Sequence, residues 1–336
     1  MKGSSYMIIL GVTGCDGVGK TTLVSNLEKK TGFESKHFDK PKDMKDGKEQ
    51  YFGFLNELDD SKEGIILDRF HEGEWVYAPL YRGYEADYMR ELEREITKKH
   101  NFLHVYVKAE LETIIERTRI RGEDFVKEEH FQVVLNYFDE YMNKQALPYI
   151  EIDTTHGKAK ENTKKIFKAS NSLNNIWNAI RECECPDAIL TPAFPRGNLE
   201  ADIMIIGQNP GGKGKANVEY STTWCDVGLS TFMMNVTKEA GIHRNSWYTN
   251  LVPYPTVDNK ITKEQIQATE HIIDLEIKSI NPKVIIALGN IAYQVIKEKY
   301  GQEYEVIKRP HPAYVKRFFA GKDGEYEKYI ESFKIL

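Results

Sequence analysis

Thr13-Gly14-Cys15-Asp16-Gly17-Val18-Gly19-Lys20-Thr21-Thr22 follows directly on the apolar run Met7-Ile8-Ile9-Leu10-Gly11-Val12, and a helical stretch runs from Lys20 to Lys30. The order is buried strand, glycine-rich turn, helix. Glycines in such a turn let the backbone point its N–H groups inward, at the positive end of the helix that follows, where phosphates bind. In a G-x-x-x-x-G-K-[ST] loop, Lys20 reaches the β- and γ-phosphates and the Thr21 hydroxyl holds Mg²⁺. The flanking strand and helix are the context that separates such a loop from a chance match.

Outward from the loop, strands and helices alternate. Gly64-Ile65-Ile66-Leu67 reads as a second buried strand, ending at Asp68-Arg69. Leu103 to Lys108 is a third, followed by a helical run from Ala109 to Arg121, and Tyr149 to Asp153 is a fourth after Pro148. This alternation predicts an α/β fold, a parallel sheet with helices on both faces. From Thr154 to Asn171 the chain turns polar and lysine-rich, and reads as a last helix running into a linker. A second α/β series follows, with strands at Ala201–Gly207, Ser246–Val252 and Lys283–Gly289 and a long helix from about Lys263 to Ile280. The halves share no motif, so two unlike α/β domains are expected, residues 1–168 and 169–336.

The bulk properties agree. The 336 residues suffice for two cores of ordinary size. A hydrophobic share of 40% and a charged share of 29% are ordinary for a soluble globular chain. No run approaches the ~20 apolar residues of a membrane helix, and Met1 to Tyr6 leads into a strand rather than a signal peptide. Cys15, Cys183, Cys185 and Cys225 are too few and too scattered for a disulfide framework, which points to a reducing cytoplasm. The net charge of -5 gives no global sign of nucleic-acid binding, so DNA contact would need a local basic patch.

Phosphoryl transfer also needs groups that hold the metal, place the acceptor and neutralise the transferring group. Asp68-Arg69 stands at the carboxyl end of a strand, where ligands gather in open α/β sheets. Asp68 is read as a metal holder through water or as a general base, and Arg69 as a phosphate clamp. A surface ion pair is the plain alternative. Arg117, Arg119 and Arg121 precede Gly122-Glu123-Asp124, which fits a lid closing over phosphates or a solvated helix face.

These residues resemble the thymidylate kinase family over roughly Tyr6 to Phe167. The likeness rests on the loop with its internal Asp16-Gly17, on Asp68-Arg69-Phe70-His71, and on the lid from Arg117 to Asp124. It implies transfer from ATP, with Mg²⁺, to a deoxypyrimidine acceptor. Gly14, Asp16, Gly17, Gly19, Lys20, Thr21, Thr22 and Arg117 would form the nucleotide-binding set, and Lys20, Asp68, Arg69 and Arg121 would serve the transfer. Thr21 and Asp68 would hold the metal, while Asp16 and Arg69 face the acceptor. The segment His71 to Gly83 departs from the cellular enzymes and is more like kinase-like proteins of bacterial viruses. Within it Trp75, Tyr77 and Tyr81 are either base-stacking or core aromatics.

In the second half, Gly207-Gln208-Asn209-Pro210-Gly211-Gly212 follows a strand. Thr249-Asn250-Leu251-Val252-Pro253, Ala287-Leu288-Gly289-Asn290-Ile291-Ala292 and Arg309-Pro310-His311-Pro312-Ala313-Tyr314 come after it in that order. The set resembles the uracil-DNA glycosylase superfamily over about Leu199 to Phe319, a fold that takes a flipped base at the sheet's carboxyl edge. The resemblance implies that Asn209 positions a water below the sugar, Asn250 reads the base edge, and His311 stabilises charge on a departing base. An Asn is no general base, so excision is expected to be slow or absent. Some members hold an iron–sulfur cluster on four cysteines. Cys183, Cys185 and Cys225 are three, so no cluster is expected, and Cys183-x-Cys185 is too tight for a common zinc knuckle. Lys308, Arg309, Lys316 and Arg317, interleaved with Tyr314, Phe318 and Phe319, are the local basic patch. They form a DNA surface with an aromatic wedge or a solvated helix.

A kinase for free nucleotides has no physical need of a domain that grips DNA. Viral kinases resembling thymidylate kinases phosphorylate 5-hydroxymethyluracil in DNA, a step in thymidine hypermodification, and this chain looks like that group. The expected function is ATP-dependent phosphorylation of the hydroxymethyl group of 5-hydroxymethyl-2'-deoxyuridine within DNA. Two other readings stay open: a dTMP-type kinase fused to an active glycosylase, and a DNA-binding protein switched by ATP. The sequence is silent on oligomeric state.

Overall fold

Ile8 to Thr13 form β1, whose six residues are all buried, as a strand covered on both faces requires. It runs parallel to β3 (Gly64–Asp68) on one side and to β4 (Asn101–Lys108) on the other. β2 (Glu34–His37) adds to β3, and β5 (Pro148–Asp153) to β4, both parallel. The order β5-β4-β1-β3-β2 makes the carboxyl end of β1 a topological switch point, where open α/β sheets bind ligands. Helices α1 (Lys20–Thr31), α2 (Met44–Glu57), α3 (His71–Tyr81), α4 (Met89–Lys99), α5 (Leu111–Arg121), α6 (Phe131–Lys144) and α7 (Ala159–Glu182) complete this part of the chain. Ile9, Leu67, Phe70, Leu92 and Phe102 lie in its core.

This computed structural model describes residues 6–58, 62–122, 126–188, 191–211, 229–319 and 324–334. Glu123, Asp124, Gly212 and Cys225 lie outside them. The chain divides into two compact units, Met1–Asn174 and Asn175–Leu336. The division falls inside α7, so the expected linker within residues 154–171 is a continuous helix from Ala159. The reason is visible once the period is tracked. Ile166, Ala169, Leu173, Ile176 and Ile180 are buried three or four residues apart, while Lys160, Lys164 and Lys168 stand four apart on the exposed face. The amphipathic patch legible around Ile166-Phe167 is part of this longer stripe, whose extent the lysines of the exposed face obscure.

The second unit repeats the logic with other residues. β7 (Ile203–Gly207) lies parallel to β8 (Ser246–Asn250) and to β9 (Val284–Leu288), and every residue of the three is buried. β10 (Glu305–Arg309) runs parallel to β9, and β6 (Arg196–Asn198) antiparallel to β8, giving β10-β9-β7-β8-β6. The switch point is now the end of β7. Helices α8 (Leu229–Glu239), α9 (Lys263–Ile280), α10 (Asn290–Tyr300), α11 (Pro312–Phe318) and α12 (Glu325–Glu331) surround this sheet. α9 has the bounds its sequence predicts because both ends are specified. Thr262 and Gln265 form a capping box, and Asn281 closes the helix at φ 50°. Among the described residues, no helix is long and apolar enough to cross a membrane.

Candidate active site and base-binding site

Gly14, Gly17 and Gly19 hold φ values of 147°, 81° and 89°. The first has no alternative: a Cβ on Gly14 would lie 2.1 Å from the Val107 carbonyl oxygen. The loop curls so that the Lys20 ammonium donates to the carbonyls of Gly14 and Cys15, each at 2.8 Å, with Asp16 Oδ1 at 3.7 Å. Burial lowers the Lys20 pKa, and the charge of Asp16 opposes that shift. Gly19 precedes α1 as its N-cap and offers no side-chain cap, so the first N–H groups of the helix and its dipole face the loop. Thr21 and Thr22 are exposed in its first turn. Among the described residues no cluster of three His, Cys, Asp or Glu side chains forms a metal cage. Mg²⁺ at a nucleotide needs none, because phosphates and one or two protein oxygens suffice. The exposed Thr21 hydroxyl and Asp68 Oδ1, buried without a hydrogen bond, are oxygens of that kind.

β3 ends at Asp68, and Arg69 takes the left-handed conformation at φ 59°. This turns the guanidinium back toward the loop, with Nη2 3.4 Å from Asp16 Oδ1. Arg117 is fixed more firmly. It donates to Thr154 Oγ1 at 3.1 Å, to the Thr154 carbonyl at 2.7 Å and to the Gly17 carbonyl at 3.5 Å. Thr154 in turn donates to the Val18 carbonyl at 2.6 Å. Arg117 therefore sits on the phosphate loop itself. Arg119 forms an exposed pair with Glu128, and Arg121 stands exposed one turn beyond Arg117, at the last residue of α5.

A cleft leads from the loop into the first unit. Asp16, Lys20 and Arg69 of the loop region share its lining with the aromatics Phe38, Tyr51, Phe70 and Tyr77 and with Glu74 and Arg82. The Glu74 carboxylate is fully buried and accepts from Arg82 Nη2 and the Tyr84 hydroxyl. Burial raises its pKa against the pull of Tyr84 and Arg82. Arg82 Nε is buried with no hydrogen bond. Of the three aromatics considered for stacking, Tyr77 lines the cleft. Trp75 packs on Tyr141 and Tyr137, ring centroids 5.5 and 6.5 Å away, and Tyr81 lies 6.2 Å from the His130 ring. Sequence reasoning gave no role to Phe38, Tyr51, Glu74 or Arg82. Their one signal was opposite charges eight residues apart within an aromatic-rich helix segment.

In the second unit the parallel strands deliver the motif residues to one edge. Asn209 follows β7, Asn250 ends β8 opposite Gly207, Gly289 follows β9, and His311 follows β10. The Asn209 amide donates to the Pro210 carbonyl at 3.1 Å and to Thr256 Oγ1 at 3.0 Å, and its Oδ1 accepts from Gln208 Nε2 at 3.0 Å. Both amide hydrogens are committed, which leaves one acceptor lone pair. Asn250 is buried, at 4% exposure. His311 caps α11 by accepting the Ala313 N–H on Nδ1 at 3.2 Å, and burial lowers its pKa. A neutral ring that accepts on Nδ1 carries its hydrogen on Nε2.

Two families account for this arrangement. Residues 10–137 match the family described as AAA domain, and residues 194–334 match the uracil DNA glycosylase superfamily. The chain thus sets a P-loop region of AAA-domain type before a region of uracil DNA glycosylase superfamily type. The SPbeta prophage-derived uncharacterized protein YorR of Bacillus subtilis is 27% identical over 164 residues, which are 48% of this chain and 98% of YorR. The solved structure of YorR in complex with phosphorylated GDP matches at 23% identity, covering 47% of this chain and 93% of that one, with a TM-score of 0.41. A deoxyadenosine kinase from M. mycoides with bound dCTP matches at 18% identity, covering 49% and 99%, with a TM-score of 0.35.

In the glycosylase superfamily domain, Tyr314 and Phe318 are exposed at 51% and 47%, with rings 4.6 Å apart, beside exposed Lys316 and Arg317. Arg309 is tied down, Nε donating to the Ser332 carbonyl at 2.6 Å, so α11 supplies most of the basic surface. Cys183 and Cys185 donate to the Ala268 and Pro186 carbonyls, and burial pushes the Cys185 thiol up to about 11.

Glu276 of α9 supports β8 from behind, accepting from Trp247 Nε1 at 2.7 Å and Thr249 Oγ1 at 2.9 Å. Burial raises its carboxyl to about 8, against the pull of both donors. Between the ordinary carboxylate range and pH 8 the unfolded chain has lost this proton and the folded one keeps it. Stability from this group is therefore full at low pH and drains as pH rises toward 8, at ~1.4 kcal/mol per pH unit. Glu276→Gln keeps a neutral partner for both donors, so denaturation of this domain should lose that slope between pH 5 and 8. An unchanged slope in the variant would show that Glu276 is not its source.

Proposed function

We propose that the chain transfers the γ-phosphoryl group of ATP to the hydroxymethyl group of 5-hydroxymethyl-2'-deoxyuridine within DNA. The observation that carries the reading is a cleft that opens on Lys20 and Asp16 and is walled by aromatics with the buried Glu74–Arg82 pair among them. It has a phosphate end and a heterocycle end. ATP phosphates lie on the backbone of Gly14 to Thr21, with Lys20 turned from its own carbonyls toward them. Thr21 and Asp68 would hold Mg²⁺, whose charge would offset that of the phosphates. Asp68 takes the hydroxymethyl proton as the new O–P bond forms and ADP departs, while Arg69, Arg117 and Arg121 balance charge on the transferring group.

The second domain supplies the reason for a DNA acceptor. Asn250 and His311 present hydrogen-bonding groups at an edge where the superfamily takes a flipped base. Asn209 offers an acceptor oxygen but no general base, which favours holding a base over cleaving its glycosidic bond. The basic and aromatic face of α11 suits a phosphate backbone and an unstacked step. The reading places the protein in a cytoplasm, that of a bacterial host if the genome is viral.

Incubation with γ-labelled ATP and, separately, dTMP, 5-hydroxymethyl-dUMP and duplex DNA containing 5-hydroxymethyluracil tests it. Label should appear in the modified base after digestion of the DNA. Label confined to free monophosphates would establish a dTMP-type kinase instead, and abasic sites formed without ATP an active glycosylase. ATP hydrolysis independent of acceptor but coupled to DNA affinity would establish the switch.

A further inference from the structure

The last residue of β2 makes a contact that neither motif predicts. β2 is an edge strand with all four residues exposed, and its register sets His37 opposite Asp68. The Phe38 N–H donates to the Asp68 carbonyl at 3.3 Å, which pins that register. His37 Nδ1 then lies 2.9 Å from Asp68 Oδ2. A carboxylate only accepts, so Nδ1 carries the hydrogen and donates. The ring is half exposed, at 52%, while the Asp68 side chain is at 15%. Oδ1, the other oxygen, is buried with no hydrogen bond, and Asp68 is close enough for its charge to act on the Lys20 ammonium.

We propose that His37 is a positioning residue for phosphoryl transfer. By holding Oδ2 it stops the carboxylate from rotating and leaves Oδ1 as the oxygen offered to the Mg²⁺ on the phosphates. A buried acceptor without a protein partner calls for an explanation, and a cation or its water at that oxygen supplies one here. The proposal rests on the reading of Gly14 to Thr21 as a Mg²⁺·ATP site, and it assigns the contact a purpose that an exposed histidine on an edge strand lacks by itself.

Two variants and two readouts test it. The variants are His37→Ala and His37→Asn, whose Nδ2 can take the place of Nδ1. Transfer from γ-labelled ATP is measured with whichever acceptor the wild type labels, and ATP binding is measured by calorimetry with and without Mg²⁺. Loss of a residue that orients a metal-holding group lowers activity or metal affinity by about 10–100-fold. His37→Ala should therefore lower kcat by about that factor with KM for the acceptor within about twofold, and should shrink the Mg²⁺-dependent gain in ATP affinity about tenfold. His37→Asn should restore most of both. Wild-type kcat together with a full Mg²⁺ gain in His37→Ala would overturn the proposal, and so would equal impairment of the two variants. If the wild type labels no acceptor, the kinase reading fails separately. The Mg²⁺ gain then decides alone, and no change in it rejects His37.

Discussion

Lys20→Ala should abolish labelling of every acceptor while leaving DNA affinity unchanged. The Lys20 ammonium is buried and already bonded to two carbonyls of its own loop. In the proposed reading, its charge stands where the γ-phosphate would acquire negative charge in transit. Removal of one preorganised group of this kind costs ~10²–10³ in rate. The loss should appear in kcat for free nucleotide and DNA acceptors alike, because both use the same phosphate end. If DNA binding draws on Asn250, His311 and the α11 face, as proposed, it should be the same in the variant when measured by fluorescence anisotropy at fixed salt. Retained transfer would refute the assignment of Gly14 to Thr21, and a parallel loss of DNA affinity would favour an ATP-driven switch.

Gly14→Ala should be the most damaging single methyl in the loop. At φ 147° the backbone is in a region that L side chains avoid, and the added carbon would overlap the Val107 carbonyl oxygen at 2.1 Å. That oxygen belongs to β4, a core strand paired on both sides, so it cannot yield. Strain of this kind costs ~1–3 kcal/mol from the dihedral alone, and the overlap adds to it. The first unit should melt ~5–10 °C lower, with ATP no longer shifting its transition. Gly122→Ala is the matched control. It also has positive φ, at 88°, but its added carbon meets nothing within 4 Å, so its effect should be the dihedral term only. Equal effects of the two substitutions would mean that the contact with Val107 is not the cause.

The parts of the fold that could be read in advance are those in which local sequence and tertiary burden agree. β1, β7 and β9 are apolar because both faces are covered, and α9 carries its own caps. β2 and β10 could not be read. They are edge strands of Glu-Ser-Lys-His and Glu-Val-Ile-Lys-Arg, with charges where water reaches and no alternation to follow. The candidate sites divide in the same way. Gly14, Lys20, Asn209, Asn250 and His311 sit in contiguous motifs at strand ends, where position follows from topology. Arg117 could be suspected from its lid context, but its anchor Thr154 comes from the turn after β5, 37 residues on. Phe38, Tyr51, Glu74 and Arg82 meet only because β2, α2 and α3 converge on the cleft. No spacing along the chain encodes that meeting, and His37 beside Asp68 is a second case, created by register.

The unbroken run of α7 from Ala159 to Glu182 bears on how the two halves can be taken apart. A cut at residue 168, where composition invites one, would sever the helix in mid-stripe and strip the first unit of residues up to Asn174, whose side chain accepts from Asn101 at 2.6 Å. The released end would show Ala169 and Leu173 to water. A shortened protein that fails to phosphorylate DNA would then report a frayed helix as readily as a missing DNA grip. Silencing one half inside an intact chain, at Lys20 for one chemistry and at Asn250 or His311 for the other, keeps the helix whole and the two contributions legible.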